Sequence, residues 1–144
     1  MDEAQWEDLM TTSTGITVTL DAPFDIVVQQ TRDALKAEGF GVLTEIDVRA
    51  TFQAKLGRDF RPYLILGACN PPLAWAALNA DAEVGLLLPC NVTVEDAGAG
   101  KTTVRLVDPI QMLAASGPAT NPAITEVAEE ARIRLEGVAK ALAR

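Results

Sequence analysis

The chain has 144 residues, of which 49% are hydrophobic and 22% are charged, so it has the size and composition of one globular domain with its own core. Its formal net charge of -8 disfavours nucleic acid and anionic membrane surfaces, because both are bound by clustered Lys and Arg. Histidine is absent, which excludes imidazole bases, Ser-His and Cys-His catalytic pairs and His-based metal sites.

The sequence also bears on metal binding, membrane insertion and cellular location. The two cysteines do not form the close pairs that structural zinc sites use, so we expect no bound metal and no cofactor. No apolar run approaches the roughly 18 to 20 residues that span a bilayer. The N-terminus is acidic where a signal peptide would be basic and then apolar. We therefore expect a cytoplasmic protein with no membrane partner.

The first third of the chain predicts an arm, a strand, a helix and a second strand. Residues 1–13 contain acidic but no basic side chains, which predicts an acidic N-terminal arm before a single domain of residues 14–144. Residues 15–20 alternate apolar and polar side chains, as a half-buried strand does. A helix follows, which Gly39 ends as a left-handed C-terminal residue. Residues 41–46 predict the second strand.

The middle of the chain predicts two short helices and three strands. A helical turn over residues 48–56 precedes a third strand at 63–69. Asn70 and Pro71 then start a short helix that is apolar on nearly every side, so it should be buried beneath the monomer or at a subunit contact. A fourth strand over 85–95 is interrupted at Pro89, and residues 101–107 alternate as a fifth strand.

The last element has the clearest pattern. Asn121 caps a helix that begins at Pro122, and its apolar positions form one stripe: Ile124, Val127, Ala128, Ala131, Leu135, Val138 and Leu142. Strands in a run flanked by helices predict the α+β class. We expect an antiparallel sheet of about five strands in the order β-α-β-β-β-β-α, with the helices on one face and two short helices inserted between strands.

Four sequence blocks resemble a known family. They are GFGVLTEIDV (39–48), YLILGACNPPLA (63–74), LLLPCNVTV (86–94) and VRLVDPIQML (104–113). The most specific signature is the pair GACNP (67–71) and LPCN (88–91). These blocks resemble the bacterial and archaeal family called domain of unknown function 302, over roughly residues 14–142. The resemblance implies a small α+β fold similar to that of TATA-binding protein and a homodimer, and it implies no established activity.

The two cysteines admit two interpretations. Cys69 directly precedes the helix that begins at Pro71, where the helix dipole favours a thiolate, so it is a candidate reactive or ligand-contacting group. Free cysteine is also among the most buried residue types, and the interpretation of Cys69 and Cys90 as small packing residues is the one we prefer. If residues 85–95 were one strand, the two cysteines would lie on the order of 15 to 20 Å apart, which disfavours an intrachain disulfide.

Two hypotheses of function follow. The first is a homodimer without established activity that binds a small molecule or a protein partner near Cys69, Asn70, Pro89 and Cys90. The second is a thiol-dependent enzyme or redox sensor in which Cys69 is the reactive, catalytic group. Asn70 is interpreted first as a helix cap and second as a ligand contact.

Overall fold

The computed structural model of the protein describes residues 9–143. In chain order its elements are β1 Leu9–Thr11, β2 Gly15–Leu20, α1 Phe24–Ala37, β3 Gly41–Asp47, α2 Val48–Leu56, β4 Tyr63–Cys69, α3 Pro71–Ala80, a 3-10 helix Ala82–Leu87, β5 Cys90–Gly98, β6 Lys101–Val107, α4 Pro109–Leu113, a second 3-10 helix Gly117–Thr120, and α5 Pro122–Leu142. The α+β class and the two short helices inserted between strands are confirmed.

The strands form one antiparallel sheet in the order β1-β2-β6-β5-β4-β3. It has six strands rather than the five expected. The added strand, Leu9–Thr11, lies within the predicted acidic arm and pairs with β2, and Leu9 packs against the core. Three residues are too few to show the two-residue period from which a strand is predicted. The rest of the arm, residues 1–8, lies outside the described residues.

Helices α1 and α5 cover one face of the sheet and bury the main core. Along the strands every second side chain points to this face, and the central ones, such as Leu66 and Val92, are fully buried. From the helices, Val27, Leu35 and Leu135 fill the same layer. The stripe predicted for the last helix is buried at Ile124, Ala128, Ala131, Leu135, Val138 and Leu142. The long helices are thus held by apolar burial against the sheet.

The opposite face of the sheet is polar on β2, β5 and β6, whereas on β3 and β4 it carries Ile46, Ile65 and Tyr63. The hydroxyls of Thr19 and Thr103 hydrogen-bond at 3.2 Å. Glu95, which is 8% exposed, accepts hydrogen bonds from Arg61 and Arg105. Burial alone would raise the pKa of the Glu95 carboxyl, but the hydrogen bonds and charges of the two arginines outweigh burial and lower the pKa below its ordinary value.

The prediction of a fourth strand over residues 85–95 is wrong for its first half. Residues Ala82–Leu87 form a 3-10 helix, the Leu88–Pro89 peptide bond is cis, and β5 begins only at Cys90. The reason is the partner strand: β4 ends at Cys69, where the chain turns into α3, so nothing remains for residues 85–89 to pair with. Pro89 itself has no N–H to donate to a ladder.

Helix α3 is less buried than its composition predicts. Ala77 is its single residue in the buried class, whereas Trp75 is 71% exposed and Leu78 is 43% exposed. Burial beneath the monomer on more than one side, the first of the two alternatives, is therefore wrong. The outward face of α3 remains an apolar surface. No helix in the described part of the chain combines the length and hydropathy required of a membrane-spanning segment.

Candidate functional site

A cavity of about 400 Å³ lies where one end of the sheet meets α3, α4 and α5. All four residues proposed from the sequence line it: Cys69, Asn70, Pro89 and Cys90. The remaining wall is almost entirely apolar and is formed by Phe40, Leu43, Thr44, Ala68, Leu73, Ala74, Ala77, Leu78, Val84, Gly85, Leu88, Pro109, Met112, Leu113, Ile124, Val127, Ala128 and Ala131. Its volume falls in the range of small-molecule sites.

The cavity separates two apolar clusters. Phe40 and Ala68 belong to the main core between the sheet and the long helices, whereas Val84, Leu113 and Ile124 belong to a second cluster around α3, α4 and the start of α5. Members of both clusters line the space between them. The second cluster therefore acts as an outer wall that stands off from the sheet.

Part of the cavity wall on α3 and α5 consists of alanines. Ala74 and Ala77 line it on α3, and Ala128 and Ala131 line it on α5, beside larger apolar residues of both helices. Ala77 and Ala128 belong to one packed cluster, so α3 and α5 are in contact, and the cavity lies beside this contact. Side chains of one carbon take up little of the adjoining space, which larger residues at these positions would reduce.

The two signature segments meet at the sheet end because of Gly67. Ala68 pairs with Cys90 and Gly67 with Asn91 across β4 and β5. A Cβ at Gly67 would lie 2.1 Å from Thr44 Oγ1 and 2.8 Å from the Cγ of Pro89. Only glycine allows both side chains to close over this point of the strand. The glycine of one segment therefore seats the proline of the other at the cavity.

The cysteines are closer together than the sequence estimate of 15 to 20 Å, which is wrong. Because β5 begins at Cys90 and pairs this residue with Ala68, Cys90 is a diagonal neighbour of Cys69. The estimate assumed that β5 began at residue 85. Both thiols are free, with Cys69 half-buried and Cys90 buried. Successive residues of a strand point to opposite faces, so adjacency of this kind does not aim the two sulfurs at each other.

The thiol of Cys90 is poorly suited to nucleophilic chemistry. Burial, reinforced by electrostatic repulsion from Cys69, raises its pKa from 9.0 to about 11. At neutral pH Cys90 is a protonated, weakly polar part of the wall, since the thiolate is the reactive form. The structure offers no support among its described residues for the thiol-dependent alternative at Cys69. Cys69 lines the cavity, and no lysine or arginine stands beside it there.

Asn70 has the predicted cap role, which uses only its side-chain oxygen and leaves its side-chain nitrogen available. Its Oδ1 accepts a hydrogen bond of 3.3 Å from the backbone N–H of Leu73, which caps α3. The residue is 7% exposed, and its Nδ2 donates to no group among the described residues. Gly39 leaves room beside this nitrogen, since a Cβ there would approach it to 3.0 Å. Among the residues that line the cavity, Asn70 alone carries a side-chain amide.

Sequence reasoning missed most of the wall. The stripe of α5 predicted Ile124, Ala128 and Ala131 as core residues, without distinguishing those packed on the sheet from those facing a cavity. Phe40 and Met112 carried no site signal because their neighbours in space come from distant parts of the chain. The sequence signal that could have indicated the wall is the set of alanines on α3 and α5, Ala74, Ala77, Ala128 and Ala131. Among residues 9–143, no cluster of three or more His, Cys, Asp or Glu side chains could hold a metal ion.

Both the sequence and the structure are similar to those of known proteins. The family model described as Domain of unknown function DUF302 matches residues 16–142. The crystal structure of an uncharacterized conserved protein DUF302 from Bacillus stearothermophilus is similar, with a TM-score of 0.76 and 32% sequence identity over 88% of this chain and 95% of that chain. No curated protein matches the chain. The resemblance of the four sequence blocks is therefore confirmed, and the chain belongs to the family of the domain of unknown function DUF302.

Proposed function

We propose that the protein binds a small, mainly apolar molecule in the cavity between the sheet end and helices α3 and α5. The observation that carries this proposal is a space of about 400 Å³ with an apolar wall, bordered by both signature segments. A well-formed apolar pocket with a few polar groups is the usual form of a small-molecule site. Cys69, Asn70, Pro89 and Cys90 are the proposed contacts at its polar end.

Binding of Nile red, an uncharged fluorescent dye, tests the proposal. Ala74→Phe should weaken binding by at least about tenfold, or ~1.4 kcal/mol, because the new ring occupies the cavity. Ala74 is half-buried, so the helix can carry the larger side chain without overpacking the main core. The measurement is a fluorescence titration of the dye with each protein.

A matched control lies two residues away. Ala76 is also half-buried on α3, but it does not line the cavity. Ala76→Phe should bind Nile red as the parent protein does. Equal weakening in both variants, or no binding by the parent, would contradict ligand binding in this cavity.

We propose in addition that the protein is a homodimer that meets through the outward face of α3 and the adjacent 3-10 helix. Trp75 is 71% exposed there and Leu86 is 82% exposed. Helix α3 carries no charged residue, and the adjacent 3-10 helix carries one, Glu83. Two copies of a chain with a net charge of -8 repel each other least where the contact is uncharged and apolar.

Leu86→Asp and Trp75→Asp should convert the dimer to a monomer, because each places a carboxylate in the apolar contact and opposite its own copy. Ile133→Asp is the control, since Ile133 is 63% exposed on α5, outside the proposed contact. Sedimentation velocity at micromolar concentration distinguishes the two states. A parent protein that sediments as a monomer, or a dimer that survives both substitutions, would contradict the proposal.

The remaining expectations are also proposals. We propose a fold similar to that of TATA-binding protein, supported by the strand and helix order. We also propose a single domain of residues 14–144 that follows the acidic arm of residues 1–13, with strand Leu9–Thr11 of the arm joined to its sheet. A cytoplasmic location and the absence of nucleic-acid and membrane partners are supported by the net charge of -8.

A further inference from the structure

The wall of the cavity carries no charge. None of its lining residues is Asp, Glu, Lys, Arg or His. A charged ligand group placed there would lose its hydration without gaining an ion pair, which is costly in an apolar setting. The wall thus discriminates against ions of either sign.

Helix N-termini often bind anions through free N–H groups, but the start of α3 has none of these among residues 71–74. At the start of α3, Pro71 and Pro72 have no N–H, and the N–H of Leu73 is bonded to Asn70 Oδ1. The N–H of Ala74 is bonded to the Asn70 carbonyl at 2.9 Å. The N–H groups of residues 71–74 are therefore absent or already used, which leaves none of them for an anion.

The start of α4, which also borders the cavity through Pro109, is equally closed to anions. Pro109 lacks an N–H, and Asp108 Oδ1 accepts from the N–H groups of Ile110 and Gln111. The Asp108 carboxylate is 5% exposed and faces Arg132 Nε at 3.6 Å. A carboxylate at this position adds repulsion to the absence of free donors.

We propose that the ligand is an uncharged molecule with an apolar body and a hydrogen-bond acceptor, such as a ketone or ester carbonyl, that is bound by Asn70 Nδ2. This inference rests on the proposed function and names the ligand class of the same cavity. Asn70 supplies the donor because its Oδ1 is used by the cap while its Nδ2 has no partner among the described residues. The rest of the ligand is held by apolar contact with α3 and α5.

Three probes of equal chain length test the class: 2-octanone, octanoate and octane, each titrated at pH 8 as a competitor of Nile red. We expect 2-octanone to displace the dye at a concentration at least about tenfold lower than octanoate, because only the carboxylate must be buried as an ion. It should also compete about three- to tenfold better than octane, because the ketone oxygen accepts one hydrogen bond from Asn70 Nδ2 that octane cannot form.

Asn70→Asp and Asn70→Ser test the donor. Both residues cap helices as well as Asn does, so α3 keeps its start. The thermal midpoint should change little for Asn70→Ser and fall only for Asn70→Asp, which adds a charge to the wall. Each should weaken 2-octanone about three- to tenfold, through loss of one hydrogen bond, and leave octane within about twofold. Because Ser is neutral and Asp is charged, a loss common to both identifies the amide donor.

The outcomes separate this inference from the proposed function. If octanoate competes as well as 2-octanone, or if both Asn70 variants bind the ketone as the parent does, the ligand class is wrong while the cavity still binds Nile red. If the parent protein does not bind the dye, both proposals fail together.

Discussion

Gly67→Val should lower the free energy of unfolding by about 3 kcal/mol and abolish Nile red binding. Valine is favoured in strands, so the loss would come from the site and not from strand propensity. Any Cβ at this position meets Thr44 Oγ1 at 2.1 Å and the Cγ of Pro89 at 2.8 Å. Thr44 can change its rotamer, but the proline ring must move as a body, and it forms part of the cavity wall.

Gly41→Val is the matched control for this prediction. Gly41 lies on the neighbouring strand β3 and pairs with Cys69, and a Cβ there would come no closer than 4.0 Å to the Cys69 carbonyl oxygen. The substitution should change the unfolding free energy by no more than about 0.5 kcal/mol. Urea denaturation of the two variants beside the parent gives both values. If both lose the same stability, the seating of Pro89 is not what Gly67 provides.

Glu95→Gln should destabilise the protein by about 2 kcal/mol at pH 7. The carboxylate is nearly buried, but its partners Arg61 and Arg105 are 52% and 50% exposed, so solvent reduces the strength of both ion pairs. Glutamine keeps the size of the side chain and removes its charge. The variant therefore isolates the charged hydrogen bonds on the polar face of the sheet.

The pH dependence of this effect has a defined sign. Because the pKa of Glu95 is lower in the folded protein than its ordinary value of 4.5, the carboxylate contributes its full stability above that value. The contribution is lost as pH falls through the folded pKa, since protonation then favours the unfolded chain. The difference between parent and Glu95→Gln should thus be constant from pH 7 to about pH 5 and shrink below pH 4.5.

A second Glu–Arg pair controls for surface charge. Glu45 accepts a hydrogen bond from Arg32 at 2.8 Å, with side-chain exposures of 45% and 32%. Glu45→Gln should cost less than about 1 kcal/mol at pH 7, as exposed pairs do. Urea denaturation at several pH values measures both variants. Equal losses at Glu45 and Glu95, or a Glu95 difference that does not shrink in acid, would contradict the prediction.

Local patterns predicted most of the elements correctly. The two-residue period of β2 and β6, the Asn70 and Asn121 caps, and the stripe of α5 each depend on neighbours in sequence, and the structure contains all of them. The prediction was wrong over residues 85–89, where an apolar run resembled a strand. A strand needs a partner, and whether β4 extends far enough to supply one is not written in the run itself.

The candidate site was predicted only in part. The signature segments named Cys69, Asn70, Pro89 and Cys90, which line the cavity. The space itself was not predictable, because it lies between the end of the sheet and a cluster that joins α3 to α5, two helices about 50 residues apart in the chain. The distance between the cysteines was misjudged for a related reason, since it depends on where β5 begins.

By itself the sequence determined the α+β class, the order of the main elements, the helix starts and the exclusion of histidine chemistry. These follow from composition and from periodicity, which act between residues close in the chain. The tertiary structure alone decided the sixth strand, the seating of Pro89 over Gly67, and the uncharged cavity that the Asn70 side chain borders. Each of these depends on register and on packing between distant segments, which fix distances that no local pattern contains.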